Sequence, residues 1–246
     1  MAKEIFNRNE LKFIIRSSAQ KDLVAALKPY MRMDEFGDKE GFYSISNIYY
    51  DTHDFYFHQQ NINRDIFRQK LRLRVYGNVG LQDDIFLEIK KKFKGVVYKR
   101  RTLMKLKDAY RFLEPTVKPG DLEKFKNSNP QILKEIYFLK TFYSLEPKMV
   151  LSYDRQAFQG IEDPEVRVTF DRNLRGRNYD LRVEHGSYGV NFVDDSIMLM
   201  EVKVGASVPL WLVRILNEFS CRRQKFSKYS TCVESGMFDK QKKLIV

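Results

Sequence analysis

Charged and apolar side chains alternate along residues 84–101, DIFLEIKKKFKGVVYKRR. Glu88, Lys90 and Lys92 share one parity, whereas the positions between them carry the aliphatic residues. Successive side chains of a β-strand point to opposite faces of the sheet. The dipeptide Lys94-Gly95 interrupts the alternation, and glycine accepts the positive φ of a tight turn. The pattern therefore predicts a β-hairpin with one aliphatic face and one mainly basic face.

The same alternation recurs elsewhere in the chain. QKLRLRVY, at residues 69–76, puts basic side chains on one face and aliphatic side chains on the other, and NRNELKFII, at residues 7–15, does so less strictly. Further strands of this kind are predicted at residues 150–158, 165–171 and 198–204. A single charged face is ordinary for a half-exposed hairpin, because charge is normally solvated. At least six such segments indicate a shared charged surface with a function.

Other segments complete the predicted order of elements. A helix is predicted from Ser17 to Pro29, a helical block between residues 107 and 145, and another helix at residues 207–219. Additional strands are predicted at residues 41–52 and 178–186. No low-complexity linker and no repeat divides the chain, so residues 1–246 are expected to form a single domain.

Strands that are apolar on one face and charged on the other cannot form a sandwich, because the inner faces of a sandwich must be apolar. We therefore predict an α+β fold, a closed antiparallel β-barrel tunnel of about eight to ten strands with helices packed outside. By parity, the lumen is expected to contain Arg8, Lys12, Arg72, Arg74, Lys90, Lys92, Arg155, Arg167 and Lys203. Such a lining repels itself unless a polyanion, such as a chain of phosphates, lies there.

Composition narrows the choice of partner and compartment. A formal charge of +12 indicates an anionic partner, which leaves nucleic acid, a membrane surface and phosphorylated molecules open. Cys221 and Cys232 form neither a disulfide framework nor a zinc pattern, and the histidines have no repeated spacing that indicates zinc. The N-terminus lacks an apolar signal core, and no run approaches the roughly 20 apolar residues that cross a bilayer. We therefore expect a soluble, cytoplasmic protein.

Eight ordered blocks resemble a known family: RNELKF, SNIYYDT, KLRLRVY, FLEIKKK with YKRR, LSYDRQAF, RVTFD, LMEVKVG and KFSKYS. Together they resemble the polyphosphate polymerase domain of the VTC (vacuolar transporter chaperone) family, from about Phe6 to Tyr229. This family belongs to the triphosphate tunnel metalloenzymes. The resemblance implies a tunnel barrel that binds ATP and a divalent metal and transfers the terminal phosphoryl group to inorganic polyphosphate. A separate membrane partner would place the protein at the inner face of a membrane.

The resemblance also implies roles for individual residues. The catalytic phosphate-binding residues would be Lys12, Arg72, Arg74, Lys90 and Arg155. Glu201 would be the ligand of Mn²⁺ or Mg²⁺, and Glu10 or Glu88 would add a further carboxylate. Lys225 and Lys228 of the KFSKY block would bind phosphate too. Strand parity, rather than the resemblance, adds Lys92, Arg101, Arg167 and Lys203 to the phosphate-binding residues. Paired arginines suit this role, because the planar guanidinium binds phosphate oxygens bidentately and stays charged.

Two alternatives remain open at this point. A tunnel triphosphatase would hydrolyse inorganic triphosphate, thiamine triphosphate or an RNA 5′ end, but such relatives commonly begin with ExExK. Here Arg8 stands at the first acidic position, before Glu10 and Lys12. The second alternative is a non-catalytic module that binds polyphosphate or RNA. Glu201 argues against pure binding, since a carboxylate weakens anion affinity unless it holds a metal, and specific recognition of nucleic acid is not expected.

Overall fold

The computed structural model describes residues 5–6, 9–94, 96–125, 128–205 and 207–236. Arg8, which was expected in the lumen, lies outside these ranges. Across the described ranges the strands are β1 (Ile5–Phe6), β2 (Asn9–Arg16), β3 (Met31–Met33), β4 (Phe42–Asp51), β5 (Phe67–Tyr76), β6 (Asp84–Phe93), β7 (Val96–Lys105), β8 (Glu146–Gly160), β9 (Arg167–Arg177), β10 (Val190–Asn191) and β11 (Ile197–Val204). The α-helices are α1 (Gln20–Leu27), α2 (Tyr56–Ile62), α3 (Leu106–Leu113), α4 (Pro130–Phe142), α5 (Leu210–Glu218) and α6 (Lys228–Glu234). No helix in these ranges has both the length and the apolar content that a membrane crossing requires.

The strands form one antiparallel sheet in the order β1-β7-β6-β5-β4-β8-β9-β11-β2, with β10 beside β9 and β3 beside β8. The α+β class and the antiparallel sheet are therefore confirmed. The sheet curls into an open half-barrel, so the closed tunnel expected from the sequence is not confirmed. The described strands number eleven, because three very short strands join the long ones. The single-domain interpretation of residues 1–246 remains a prediction.

The alternating pattern separates the two faces of the sheet as predicted. On β5, Leu71 and Leu73 are fully buried on the convex face, in a core shared with α3 and α4. Arg72 and Arg74 point to the concave face, because neighbouring side chains of a strand lie on opposite sides. A second core on the convex side joins β2, β9 and β11 to α1 and α5. The aliphatic faces are thus covered by helices, and the charged faces meet on the concave side.

Helix α6 departs from the prediction that the helices pack outside. It lies on the concave side, where the Tyr229 ring stacks on Tyr49 with centroids 4.9 Å apart. The Tyr229 hydroxyl donates to Asp51 at 2.7 Å, and Ser227 caps the helix by accepting from the backbone N–H of Ser230. The cause is an apolar patch at this end of the concave face, which includes Leu151 and would otherwise be exposed to water.

Two local predictions have different outcomes. The hairpin is confirmed, with strands that end at Phe93 and resume at Val96, and Lys94 takes a positive φ of 47°. Gly95 lies outside the described residues. The strand predicted at residues 178–186 is wrong, because the segment contains a 3₁₀ turn at Val183–His185. The buried guanidinium of Arg177 donates to four carbonyl oxygens of this loop, so these groups need no neighbouring strand.

Candidate functional site

The concave face carries a dense set of charged side chains, which we call the charged groove. Its basic members are Lys12, Lys70, Arg72, Arg74, Lys90, Lys99, Arg155, Lys203 and Lys228. Its acidic members are Glu10, Glu88, Asp171 and Glu201. The basic groups outnumber the carboxylates, so the groove attracts anions.

Glu88 organises one side of the groove. Nε and Nη2 of Arg72 each lie 2.6 Å from Oε2 of Glu88, and Nζ of Lys99 lies 2.6 Å from Oε1. Burial of Glu88, which is 1% exposed, opposes ionisation, but the adjacent Arg72, Arg74 and Lys99 hold its pKa well below the usual range. Arg74 is fixed separately, since it donates to Asn47 at 2.9 Å and to the Tyr153 hydroxyl at 3.1 Å. The two predicted arginines are therefore preorganised side by side.

Asp171 and Glu201 organise the other side. Arg155 forms two hydrogen bonds to Asp171, at 2.6 and 2.8 Å, and its Nη2 lies 3.4 Å from Oε2 of Glu201. Nζ of Lys228 lies 2.5 Å from Asp171 and 2.9 Å from Glu201. Burial by itself would lower the pKa of Lys228, but the two carboxylates raise it above its usual value. Helix α6 thus places one of the predicted lysines between two buried acids.

Lys12 and Lys90 connect the two sides. Nζ of Lys90 donates to Oε2 of Glu10 at 2.9 Å. Nζ of Lys12 lies 3.5 Å from Oε1 of Glu10 and 3.5 Å from Oε1 of Glu201, and it donates to the backbone carbonyl of Phe226 at 3.0 Å. An ammonium group therefore stands between the two carboxylates that are the candidates for holding a metal.

The carboxylates fit a divalent cation only in part. Glu10 and Glu201 supply the hard oxygen atoms that Mg²⁺ and Mn²⁺ prefer. Within the ranges described, however, no three His, Cys, Asp or Glu side chains converge as a metal site. Glu201 also contacts four basic side chains, namely Lys12, Arg155, Lys203 and Lys228. A bound metal would need to displace lysine contacts and take its other ligands from phosphate or water, so this is not a preformed metal site.

Sequence reasoning omitted three residues of the groove from the candidate site. Lys70 donates to Oγ of Ser227 at 2.8 Å, and burial together with Lys90 and Lys12 lowers its pKa to about 7. Lys99 and Asp171 are the other two. The parity pattern contained the signal for all three, because Lys70 has the parity of Arg72, Lys99 that of Arg101 and Asp171 that of Arg167.

The remaining predicted site residues lie nearer the ends of the groove or outside it. Arg167 is paired with Asp34 at 2.6 Å, and the Arg101 guanidinium lies 4.4 Å from the centroid of Phe86. Lys92 is partly exposed and lies opposite Arg68 of the neighbouring strand β5. Lys225 is exposed, in contrast to the buried Lys228 of the same KFSKY block. The structure therefore brings together eight of the twelve predicted site residues: Lys12, Arg72, Arg74, Lys90, Arg155, Glu201, Lys203 and Lys228.

Comparison with known proteins gives concordant results. A structure of a candidate adenylate cyclase from Bacillus halodurans has a similar fold, with a TM-score of 0.55 and 15% identity over 92% of this chain and 96% of that one. Subunit 4 of the vacuolar transporter chaperone complex of Trypanosoma brucei brucei is 23% identical over 92% of this chain, and that of Trypanosoma cruzi is 24% identical over 94%. The matched region spans 34% of each of these two relatives, so this chain corresponds to about a third of their length.

Residues 7–237 match the VTC domain family, and this range includes the strands of the charged groove and α6. The match confirms the resemblance seen in the ordered sequence blocks. The chain therefore belongs to the VTC domain family.

Proposed function

We propose that this chain is a polyphosphate polymerase domain, which transfers the terminal phosphoryl group of ATP to a growing polyphosphate chain in the charged groove. One observation carries the proposal: in a VTC domain, the arginines and lysines on one concave face exceed the carboxylates beside them. A chain of phosphates supplies the missing negative charge at regular spacing. Guanidinium groups bind such oxygens bidentately and remain charged at any relevant pH.

The state of the carboxylates favours phosphoryl transfer over hydrolysis. Each acid of the groove is ion-paired, and neighbouring cations hold the pKa of Glu10, Glu88 and Glu201 well below the usual range despite burial. Such carboxylates are weak bases, and activation of water calls for a better one. A polyphosphate acceptor is already ionised and requires no base. Positioning and neutralisation of charge are then the main demands on the protein.

Different residues of the charged groove would bind the phosphates, neutralise their charge and hold the metal. Arg72 and Arg74 would bind the phosphates on one side and Arg155 on the other, while Lys12 and Lys90 would neutralise the charge between them. Each of these cations already has a carboxylate partner, so the ion pairs hold the basic groups in a binding geometry. Phosphate oxygens would compete with Glu10 and Glu201 for the lysines. Glu201, with Glu10, would hold Mn²⁺ or Mg²⁺, and that metal would neutralise phosphate oxygens when bound.

The names of the relatives support a wider assembly. Both relatives are named as subunits of a vacuolar transporter chaperone complex. We therefore include in the proposal a separate membrane partner that receives the product. Isolation of this chain from its native membranes, with and without detergent, followed by identification of co-purifying proteins, tests that part independently of the chemistry.

Incubation with ATP and Mn²⁺, followed by gel separation of the products, tests the activity. Long phosphate chains are expected. Free phosphate in place of chains would instead indicate a tunnel triphosphatase, and binding without turnover would indicate a binding module. Either result would overturn the proposal.

Arg100→Ala provides the matched control for substitutions in the groove. Arg100 lies on β7 between Lys99 and Arg101, but it points to the convex face and pairs with Glu135 of α4 at 2.8 Å. Its loss removes one arginine and one ion pair without touching the groove. Product formation by Arg100→Ala is therefore expected to match that of the unmodified protein.

A further inference from the structure

The two ends of the charged groove differ in chemistry. Strands β5 and β6 are antiparallel, so Arg68 lies opposite Lys92 at one end, and Arg74 lies opposite Phe86 near the other. Tyr76 ends β5 two residues beyond Arg74 and shares its face. We call the end at Arg68 and Lys92 the basic end, and the end at Tyr76 and Phe86 the aromatic end.

Three rings meet at the aromatic end. The centroids of Tyr76 and Phe86 lie 6.1 Å apart in an edge-to-face arrangement, and Tyr43 lies 6.2 Å from Tyr76. The Arg101 guanidinium covers Phe86 at 4.4 Å. Tyr76 is 41% exposed, although it belongs to the charged face of a central strand. The aromatic end thus offers an accessible ring edge and face to a ligand in the groove.

The aromatic end adjoins the arginines that would hold phosphates. Burial opposes ionisation of Tyr76, but Arg74, which is also hydrogen-bonded to it, lowers its pKa. Tyr43 pairs in register with Arg155 on β8. Two residues of a strand span about 7 Å, so the exposed ring of Tyr76 stands about that far along β5 from Arg74. In a nucleotide the ribose bridges a gap of this kind between base and phosphates.

The basic end has a different character. The Arg68 Nε atom is buried without a hydrogen-bond partner in the described ranges. Burial lowers the pKa of Lys92, and the nearby Arg68, Lys90 and Arg223 add to the effect. Clustered positive charge of this kind suits further phosphates.

We infer that the aromatic end binds the nucleobase of the substrate nucleotide, with Tyr76 as the stacking residue and Phe86 packed edge-to-face against it, and that the phosphate chain extends toward the basic end. The inference rests on the proposed function, because it identifies the substrate as a nucleoside triphosphate. Stacking of a base on an aromatic side chain is sequence-tolerant, since every base has a π-face. The site therefore accepts nucleotides with little discrimination between bases.

Calorimetric binding of ATP and of inorganic tripolyphosphate, at equal Mg²⁺, tests the inference. Tyr76→Ala is expected to weaken ATP binding by about 5- to 100-fold, which is the usual effect of losing a stacked ring. Its tripolyphosphate affinity should stay within about twofold of the unmodified value, because Arg74 loses its contact with Tyr76 but stays fixed by Asn47 and the Tyr153 hydroxyl. Tyr76→Phe keeps the ring and should bind ATP normally. Equal losses for both ligands, or unchanged ATP binding by Tyr76→Ala, would overturn the base site.

Tyr98→Ala is the matched control, because Tyr98 is a similarly exposed tyrosine on the convex face of β7. It should change neither affinity. Photo-crosslinking with 8-azido-ATP supplies a second readout in the unmodified protein. Labelling of peptides that contain Tyr76 or Phe86 supports the proposed direction, and labelling at residues 92–98 overturns it. Both measurements detect binding alone, so a failure of polymer synthesis leaves them interpretable.

Discussion

Nζ of Lys90 on β6 lies 2.9 Å from Oε2 of Glu10 on β2, although these strands stand far apart in the order of the sheet. The ion pair spans the concave side of the open half-barrel. Lys12 adds a second contact to Glu10 at 3.5 Å. One carboxylate therefore neutralises two lysines that the proposed substrate also needs, and it links the two sides of the groove.

Removal of this carboxylate should strengthen binding of a metal-free polyanion. Glu10→Gln is expected to raise the affinity for tripolyphosphate in EDTA by roughly fivefold, because Lys12 and Lys90 then face the ligand without an internal competitor. Isothermal calorimetry measures the change. Glu135→Gln is the control, since Glu135 pairs with Lys91 and Arg100 on the convex side. Weaker binding by Glu10→Gln would show that the bridge preorganises the groove more than it competes with the ligand.

The paired arginines should matter for binding more than for folding. Arg72→Ala and Arg74→Ala are each expected to weaken ATP binding by roughly 10- to 100-fold, since each removes charge-assisted hydrogen bonds. The fold should persist, because Glu88 keeps Lys99 at 2.6 Å and one arginine. Arg100→Ala should bind ATP normally.

Thermal unfolding distinguishes a folding defect from a binding defect in these variants. If Arg72→Ala unfolds, the double variant Arg72→Ala/Glu88→Gln removes the uncompensated buried charge and should restore the fold. ATP affinity equal to that of the unmodified protein in either folded variant would remove Arg72 from the binding site.

Lys70 should make phosphate binding depend on pH. Its pKa is about 7, below the ordinary 10.5, so the side chain is mostly neutral above pH 7. A bound polyanion favours the charged form and raises this pKa. Binding then takes up a proton, and affinity is expected to fall as the pH rises from 7 to 9.

Calorimetry in buffers of different ionisation enthalpy measures this proton uptake directly. Lys70→Arg, which stays charged, should bind tripolyphosphate with a smaller pH dependence, and Lys70→Met should reduce the proton uptake at pH 8. An unchanged pH slope in Lys70→Arg would assign the effect to another group.

The sequence was sufficient to predict the two faces of the sheet. The alternation of Arg72 and Arg74 with Leu71 and Leu73 is a local property of the strand, so it survives into the structure unchanged. The partners of these residues are not local. Nothing in the alternation shows that Glu88 binds Arg72 or that Glu10 reaches Lys90 across the groove, because strand order and curvature decide those contacts.

The two main departures have the same origin. The segment at residues 178–186 has strand-like composition, but a single buried arginine, Arg177, holds its carbonyl groups in a loop. Helix α6 has no feature that distinguishes an inner helix from an outer one until the apolar patch around Leu151 and Tyr49 is seen. In both cases tertiary contacts override a local preference.

Glu201→Gln should separate metal use from phosphate binding. The neutral amide is a poor ligand for a hard cation, so turnover is expected to fall by at least tenfold at limiting Mn²⁺. Binding of tripolyphosphate in EDTA should persist, because Arg155 and Lys228 keep Asp171 as a partner. Turnover across a Mn²⁺ titration measures the effect, with Glu135→Gln as control. A normal rate at limiting Mn²⁺ would exclude Glu201 from the mechanism and leave it as a balancing charge for Lys203.

Salt should shorten the product before it stops synthesis. The basic side chains of the groove, including Lys92, carry more positive charge than one triphosphate can neutralise. The surplus charge would hold a longer phosphate chain. Each additional contact slows release, and screening weakens the more exposed contacts first. Polyphosphate length on a gel, measured with total phosphate transferred at low and moderate salt, tests this.

Lys92→Ala should give shorter chains at low salt, whereas Lys107→Ala, which removes an exposed lysine of α3, should not. If the surplus cations hold the product, weaker binding must shorten the chains before it lowers the rate of transfer. Chains of constant length with falling turnover would therefore show that these cations do not bind the product chain.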